Sequence, residues 1–244
     1  NMDTLEFFQA LYTNIENKIY LFTLPDRTTY QFTSDQLQQM ADKAAKLSAA
    51  GKNVYFGLGS TDIKLTAKSR PKNDQVTELS CLFADIDIAD SSAHAADNLP
   101  GNISEARDLL PAPCEPSIIV SSGHGLHVYY IFNEPFNLPE ESQEAKDLLE
   151  RLQGYIRRNA NAKGWHVDSV TDFTRVFRVP GTINYKNPAM PVKCEVIEYN
   201  EPINFYNPSD FDFLPPVANV QKAATSNNTH GAFERRETDG DVNL

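Results

Sequence analysis

Cysteine is scarce in this 244-residue chain, and its placement excludes two classes of protein. Cys81, Cys114 and Cys194 form no close pair, so they fit neither a zinc-ligand cluster nor a disulfide framework; a reducing compartment follows. No apolar run approaches transmembrane length, and no signal peptide is read at the start, so a membrane protein is not expected. No glycine-rich phosphate loop of the Walker kind follows a strand, and no dinucleotide fingerprint is present. Internal repeats are absent. An excess of positive charge is missing too. The formal net charge of -11, read alone, argues against a nucleic-acid partner.

What is present is ordinary in bulk and uneven in detail. Apolar residues make up 41% and charged residues 23%, which suits a globular protein with ample core. The charge is segregated. Between Arg151 and Lys193 the local net is +6, with Asp168 and Asp172 the only acids; from Glu201 to Leu244 it is -4. A basic zone inside an acidic chain keeps nucleic acid open as a partner.

Local signals predict the elements. Asp3 and Glu6 form a capping-box pattern for a helix through DTLEFFQALYTNI. Short strands are expected around KIYLFTLP and TTYQF. A second helix is expected over TSDQLQQMADKAAKLSAA, capped by Thr33 and Gln36 and ended by Gly51. NVYFGLG reads as a strand. STDIKLTAKSRPKNDQ reads as a solvated loop, with Lys64, Lys68, Arg70 and Lys72 open to a role in holding an anion. TELSCLFADIDIA is the central-strand candidate, ADSSAHAADNLPGN a loop and SEARDLL a short helix. PSIIVSS and LHVYYIF are strands joined through Gly123 and Gly125. LPEESQEAKDLLERLQGYIRRNANAK is a long helix with Ala145, Leu148, Leu149, Leu152 and Ile156 on its apolar face. WHVD is a candidate short strand, SVTDFTRVF a helical turn or short helix, and VKCEVIEYN a late strand. The order argues for an α+β fold without a regular βαβ rhythm. Residues 1–215 are expected to form one catalytic domain, with an amino-terminal α/β portion over 1–50 and a core over 51–200. Residues 216–244 read as linker or disordered tail.

Three polar features carry chemistry. Asp85 and Asp87 interrupt an apolar strand at a spacing of two, which places both carboxylates on one face. They repel each other unless a hard divalent cation shares their charge, or unless the strand end lies in water. In SSGHGLHVYYIF the glycines permit close backbone approach. His127 opens a strand from which it could donate to a phosphate, or simply satisfy a carbonyl. His124, in the loop, is expected to be exposed. In WHVDSVTDFTRVFRVPGTINYKN, Arg175 and Arg178 would share a face if helical, Pro180 and Gly181 make a turn, and Lys186 follows. Arginine forks and a lysine suit a triphosphate. A solvated charged surface is the plainer alternative.

Together, DIDIA, SGHGLH and VDSVTDFTRVFRVPGTINYK resemble the archaeo-eukaryotic primase superfamily. The likeness is closest to primase-polymerase domains of plasmids, phages, mobile elements and CRISPR-associated proteins, and covers roughly residues 50 to 200. It implies a catalytic core with an RRM-like antiparallel sheet and a DNA primase-polymerase activity on a single-stranded DNA template and primer. It implies two Mg2+ or Mn2+ ions on Asp85, Asp87 and a third carboxylate, Asp168, with Asp172 as the backup. It further implies that His127, Arg175, Arg178 and Lys186 contact the NTP or dNTP, with Ser122 or Ser121 adding a hydroxyl. No structural zinc is expected. A helicase or a downstream helical domain is a possible partner, and the cytoplasm of a bacterial, archaeal or phage-infected cell the expected location. Tyr129, Tyr130 and Tyr185 are candidate gates at the sugar. The main alternative is a relaxase-like or replication-initiator protein, with His124 and His127 on one metal and Tyr129 or Tyr130 as nucleophile. A catalytically dead module is the third.

Overall fold

The computed structural model describes residues 1–89 and 98–217. The expected loop over 89–102 and the expected tail over 216–244 lie largely outside the described residues. Helix α1 (Thr4–Tyr12) begins at the capping box read from the sequence, with Asp3 Oδ1 accepting from Glu6 N at 2.9 Å and Glu6 Oε2 accepting from Asp3 N at 2.8 Å. Helix α2 (Leu37–Ala49) starts later than expected. Thr33 does not cap it; Gln36 is the cap residue, and its side chain turns back to accept from Thr33 N.

The four-stranded sheet is antiparallel. It is built from β1 (Ile19–Leu24), β2 (Thr28–Phe32), β3 (Asn53–Gly57) and β8 (Val176–Arg178) in the order β2-β1-β3-β8. Its inner face carries Ile19, Leu21, Val54, Phe56 and Phe177 into the main core; its outer face gathers Tyr20, Phe22, Tyr55 and Val176. Alternate residues thus serve opposite faces, as the pleat demands. The strand NVYFGLG is two strands. The chain leaves the first sheet at Gly57 and enters the second as β4 (Gly59–Thr61). The following segment is not merely solvated. It is a loop that packs on the outer face, with the Arg70 guanidinium 4.9 Å from the Phe22 ring centre.

The larger sheet runs β11-β6-β7-β5-β4. Its strands are β5 (Val76–Asp87), β6 (Ile118–Ser121), β7 (Gly125–Asn137) and β11 (Glu195–Tyr199), and β12 (Phe205–Tyr206) lies parallel to β7. Helix α3 (Ile103–Arg107) precedes β6. Helix α4 (Leu138–Ala162) lies across this sheet, and its five expected apolar residues are all buried. Gln153 on α4 donates to the Phe83 carbonyl at 2.8 Å, tying helix to strand inside the core. The opposite face meets Phe7 of α1 and Phe177 of β8, both against Tyr129. The catalytic-core strands therefore lie between α4 and the amino-terminal elements. The late segment VKCEVIEYN also divides: β10 (Val192–Lys193) pairs with β9 (Ile183–Asn184), and β11 joins the large sheet. Among the described residues no helix is long and apolar enough to cross a membrane.

Candidate active site

Asp85 and His127 sit directly opposite each other on the antiparallel pair β5–β7, and Asp87 is opposite Gly125. An added Cβ at Gly125 would meet the Ile86 carbonyl at 2.5 Å, so the glycine permits this close strand approach. Asp85 is 8% exposed and His127 1%, while Asp87 at the strand end is half-buried. His127 Nε2 lies 3.7 Å from Asp85 Oδ1, and its ring stacks on Phe177 with centroids 4.2 Å apart. Burial pushes the imidazole down to about 3, and the nearby Arg178 and Arg175 guanidiniums push the same way. The adjacent carboxylate alone would favour the imidazolium, but these effects outweigh it. His127 is thus neutral near pH 7, and its contact with Asp85 is between a carboxylate and a neutral ring. Its Nδ1 is enclosed and has no hydrogen-bond partner in the protein.

The second sheet supplies the cations. The segment SVTDFTRVF is not helical: a turn leads into strand β8, which pairs with β3 so that Arg178 is opposite Tyr55. Arg175 and Arg178 therefore do not share a helix face; one precedes the strand and the other ends it. They are 6% and 3% exposed. Arg178 Nη1 donates to Asn53 Oδ1 at 2.7 Å, and its guanidinium lies 4.9 Å from the Tyr55 ring centre. Arg175 Nη2 donates to Asp172 Oδ1 at 3.2 Å, the local pair expected of Asp172, although no helix presents it.

The third carboxylate is the weakest point of the sequence reading. WHVD is irregular rather than a strand, so no strand aims Asp168 at Asp85 and Asp87. Asp168 Oδ1 instead meets His166 Nε2 at 2.6 Å, with the Asp168 side chain 35% exposed. Among the described residues no three His, Cys, Asp or Glu side chains gather closely enough to hold a metal ion.

The remaining candidates have defined places. Ser122 shapes the turn into β7: its Oγ and N both donate to the Gly125 carbonyl, and Ser121 Oγ accepts from Gly123 N. Lys186 is exposed after β9, and its backbone N donates to Asn184 Oδ1 at 2.9 Å. His124 is half-buried rather than exposed. Tyr129 and Tyr130 are fully buried at 0% exposure, which removes both as sugar gates and as accessible nucleophiles. Burial raises both hydroxyls above their usual range, which opposes formation of a phenolate. Tyr185 donates its hydroxyl to the Ser48 carbonyl at 2.8 Å.

Sequence reasoning missed Asn53, Asn184 and Phe177. Asn53 Oδ1 accepts from both Arg178 and Tyr185 N, and Asn184 Nδ2 donates to the Ser122 carbonyl at 2.8 Å. The two asparagines brace the arginine strand and the glycine turn on either side of the acid–histidine pair. Their only sequence signal was polarity within otherwise strand-like segments.

No protein-family model and no curated sequence matches the chain, but solved structures do. It is similar to the primase-polymerase (PrimPol) AEP domain of cyanophage S-2L, with a TM-score of 0.57 and 16% identity over 88% of this chain and 98% of that one. Primase RepB′ aligns at a TM-score of 0.48 and 12% identity, over 80% of this chain and 56% of that one. The catalytic domain of primase RepB′ in complex with initiator DNA aligns at 0.46 and 11%, over 80% and 85%. The chain has an archaeo-eukaryotic primase-like fold, with mixed α and β elements and antiparallel sheets, as the motifs led us to expect.

Proposed function

We propose that the chain is a template-dependent nucleotidyltransferase, a DNA primase-polymerase that extends a primer from nucleoside triphosphates. The observation that carries this reading is the buried cluster at the junction of the two sheets. An aspartate and a neutral histidine face each other across β5 and β7, and both arginines from the β8 segment act on that histidine. A site holding two guanidiniums beside one buried carboxylate suits an anionic polyphosphate, because arginine forks match phosphate oxygens. A neutral imidazole can donate a hydrogen bond to phosphate without adding a charge that must be desolvated.

The donor set also fits a hard divalent cation. A carboxylate only 8% exposed in an apolar strand is costly unless its charge is shared, and Asp87 stands on the same face. Asp85 and Asp87 would hold Mg2+ or Mn2+, with Asp168 as the proposed third donor. When bound, such ions neutralise phosphate charge and make a hydroxyl more nucleophilic. The protein's own groups do the rest. Arg175, Arg178 and Lys186 bind and orient the triphosphate. Asn53 fixes the Arg178 fork, and Phe177 holds the His127 ring in plane. The relaxase-like alternative loses its nucleophile, since both adjacent tyrosines are enclosed.

Primer extension on a primed DNA template with manganese tests the reading. Asp85→Asn keeps the side-chain volume and should abolish extension while leaving the melting temperature of the metal-free protein equal or higher. A folded Asp85→Asn protein that extends primers at the parental rate refutes it.

A further inference from the structure

A second concentration of positive charge lies on the outer face of the four-stranded sheet, on the side turned away from the acid–histidine pair. There a cavity of about 310 Å³ is lined by Phe22, Arg27, Lys68, Arg70, Lys72 and Thr174, among others. Four of these six residues are cationic, in a chain whose net charge is -11. No lining residue is a carboxylate.

The positive charge is not neutralised locally. Among the described residues, the carboxylates nearest this region are engaged elsewhere, Asp26 with Lys52 and Asp172 with Arg175. Lys68 Nζ donates to the Asp26 carbonyl at 2.8 Å and to the Thr28 hydroxyl at 3.2 Å, both uncharged acceptors, so its position is fixed while its charge persists. Arg70 is held over the Phe22 ring. Its pKa is lowered, first by burial and also by Arg27 and Arg175, against the raising influence of Tyr20 and Asp172. Cations crowded together in this way are a cost to the free protein that an anion would relieve. Arg27 adds an independent sign. It adopts φ 53°, the left-handed region that non-glycine residues rarely occupy, at the turn between β1 and β2. An outlier of this kind that places a cation at a cavity rim points to use of that side chain.

We propose that this cavity binds a phosphate of a single-stranded nucleic acid, on a path that leads over the sheet edge toward Arg175. The choice of nucleic acid rests on the polymerase reading; the phosphate chemistry does not. Three features support it. Arginine and lysine heads suit phosphodiester oxygens. Thr174, on the cavity wall, is the immediate neighbour of Arg175, which acts on His127 and so joins the cavity to the candidate active site by a continuous run of positive charge. The cavity is also separate from the Asp85 side of the sheet, so a bound triphosphate would not account for it.

The test uses the full chain and a fluorescein-labelled oligothymidylate, with anisotropy followed over a salt titration. Arg27 and Lys72 are exposed, so Arg27→Gln/Lys72→Gln should fold, as a thermal melt will show. The expected result is roughly tenfold weaker binding at low salt. The slope of log K against log salt should fall by about 1.4, since each lost phosphate contact on a single strand carries about 0.7. Unchanged affinity and slope overturn the proposal. Parallel titrations with dATP and with inorganic triphosphate separate the two phosphate sources. If the double variant loses affinity for these and keeps its affinity for the oligonucleotide, the cavity serves a free polyphosphate and the nucleic-acid assignment fails. Asp85→Asn is run beside it. That variant should bind the oligonucleotide as the parent does, whatever becomes of its extension activity. Loss of extension there bears on the polymerase reading, and loss of binding in the double variant bears on the cavity.

Discussion

The buried imidazole of His127 makes the fold acid-sensitive in a way that can be calculated. In the unfolded chain the histidine takes up a proton near pH 6.5, whereas in the folded protein it resists until about pH 3. The unfolded state therefore binds more protons throughout that window, and stability must fall as pH falls. The contribution is complete above pH 6.5, declines below it, and levels off only below about pH 3. The full span is about 3.5 units, or a ceiling of about 5 kcal/mol at 1.36 kcal/mol per unit. By pH 5 the loss from this one residue is about 2 kcal/mol. For a chain of this size that corresponds to a melting-point drop of roughly 4–8 °C.

The charged groups facing the ring are Asp85 across the strand pair and Arg175 and Arg178 from the opposing sheet, and none of these protonates appreciably between pH 7 and pH 5 if Asp85 keeps its charge. Asp26 is also removed from that window. Partial burial pushes it up, but hydrogen bonds from Lys52, Thr23 and Thr28 outweigh this and lower it to about 2, so its stabilising effect is lost only well below pH 5. The assay is urea or thermal denaturation of the metal-free protein at pH 7 and pH 5, for the parent and for His127→Gln. Glutamine keeps a polar side chain opposite Asp85 and removes the titration. The parent should lose about 2 kcal/mol more than the variant between the two pH values. Parallel losses in the two proteins would refute the argument and show that the ring is either charged or hydrated in the folded state.

Two further outcomes follow from the site. Asp168→Asn should nearly abolish primer extension at saturating nucleotide over a manganese titration, and Asp172→Asn should keep most activity, its pair with Arg175 being worth a few tenths of a kcal/mol to about 1 kcal/mol; the reverse ranking transfers the third carboxylate to Asp172. Tyr129→Phe and Tyr130→Phe each remove an enclosed hydroxyl that has no hydrogen-bond partner, so each variant should melt at or above the parental temperature and extend primers unchanged. Loss of activity in a stable Tyr129→Phe protein would restore the tyrosine-nucleophile reading.

The parts of this fold that were legible in sequence are those specified by neighbours in the chain. The Asp3–Glu6 capping box and the apolar face of α4 are local patterns and appear as read. The long strand β5 was legible because a buried strand needs a continuous apolar run. The failures share one cause. SVTDFTRVF has helical spacing, yet Val176–Arg178 is a strand because β3, more than a hundred residues earlier, offers it a free edge. WHVD has strand-like residues but is not in a sheet. VKCEVIEYN breaks at Cys194, where backbone bonds to Gly181 and Thr182 hold the chain at the passage between two sheets. In each case a distant pairing partner, present or absent, overrode local preference.

The same non-local pairing explains how the strand tolerates two carboxylates on one face. Asp87 reaches the half-exposed end of β5, where water shares its charge, so the burden falls on Asp85. Asp85 is enclosed, but the β8 segment brings two guanidiniums into the neighbourhood of its cross-strand partner His127. Those guanidiniums offset the carboxylate at a distance and, by the same field, keep the imidazole neutral. Had the histidine been protonated, it would have formed a closed ion pair with Asp85 and occupied the carboxylate. A neutral ring leaves that carboxylate anionic, which is the state a divalent cation requires. Arginines drawn from a second sheet thus serve twice in the proposed enzyme: they offer forks to a triphosphate, and they hold the neighbouring acid and histidine in the protonation states that nucleotidyl transfer calls for.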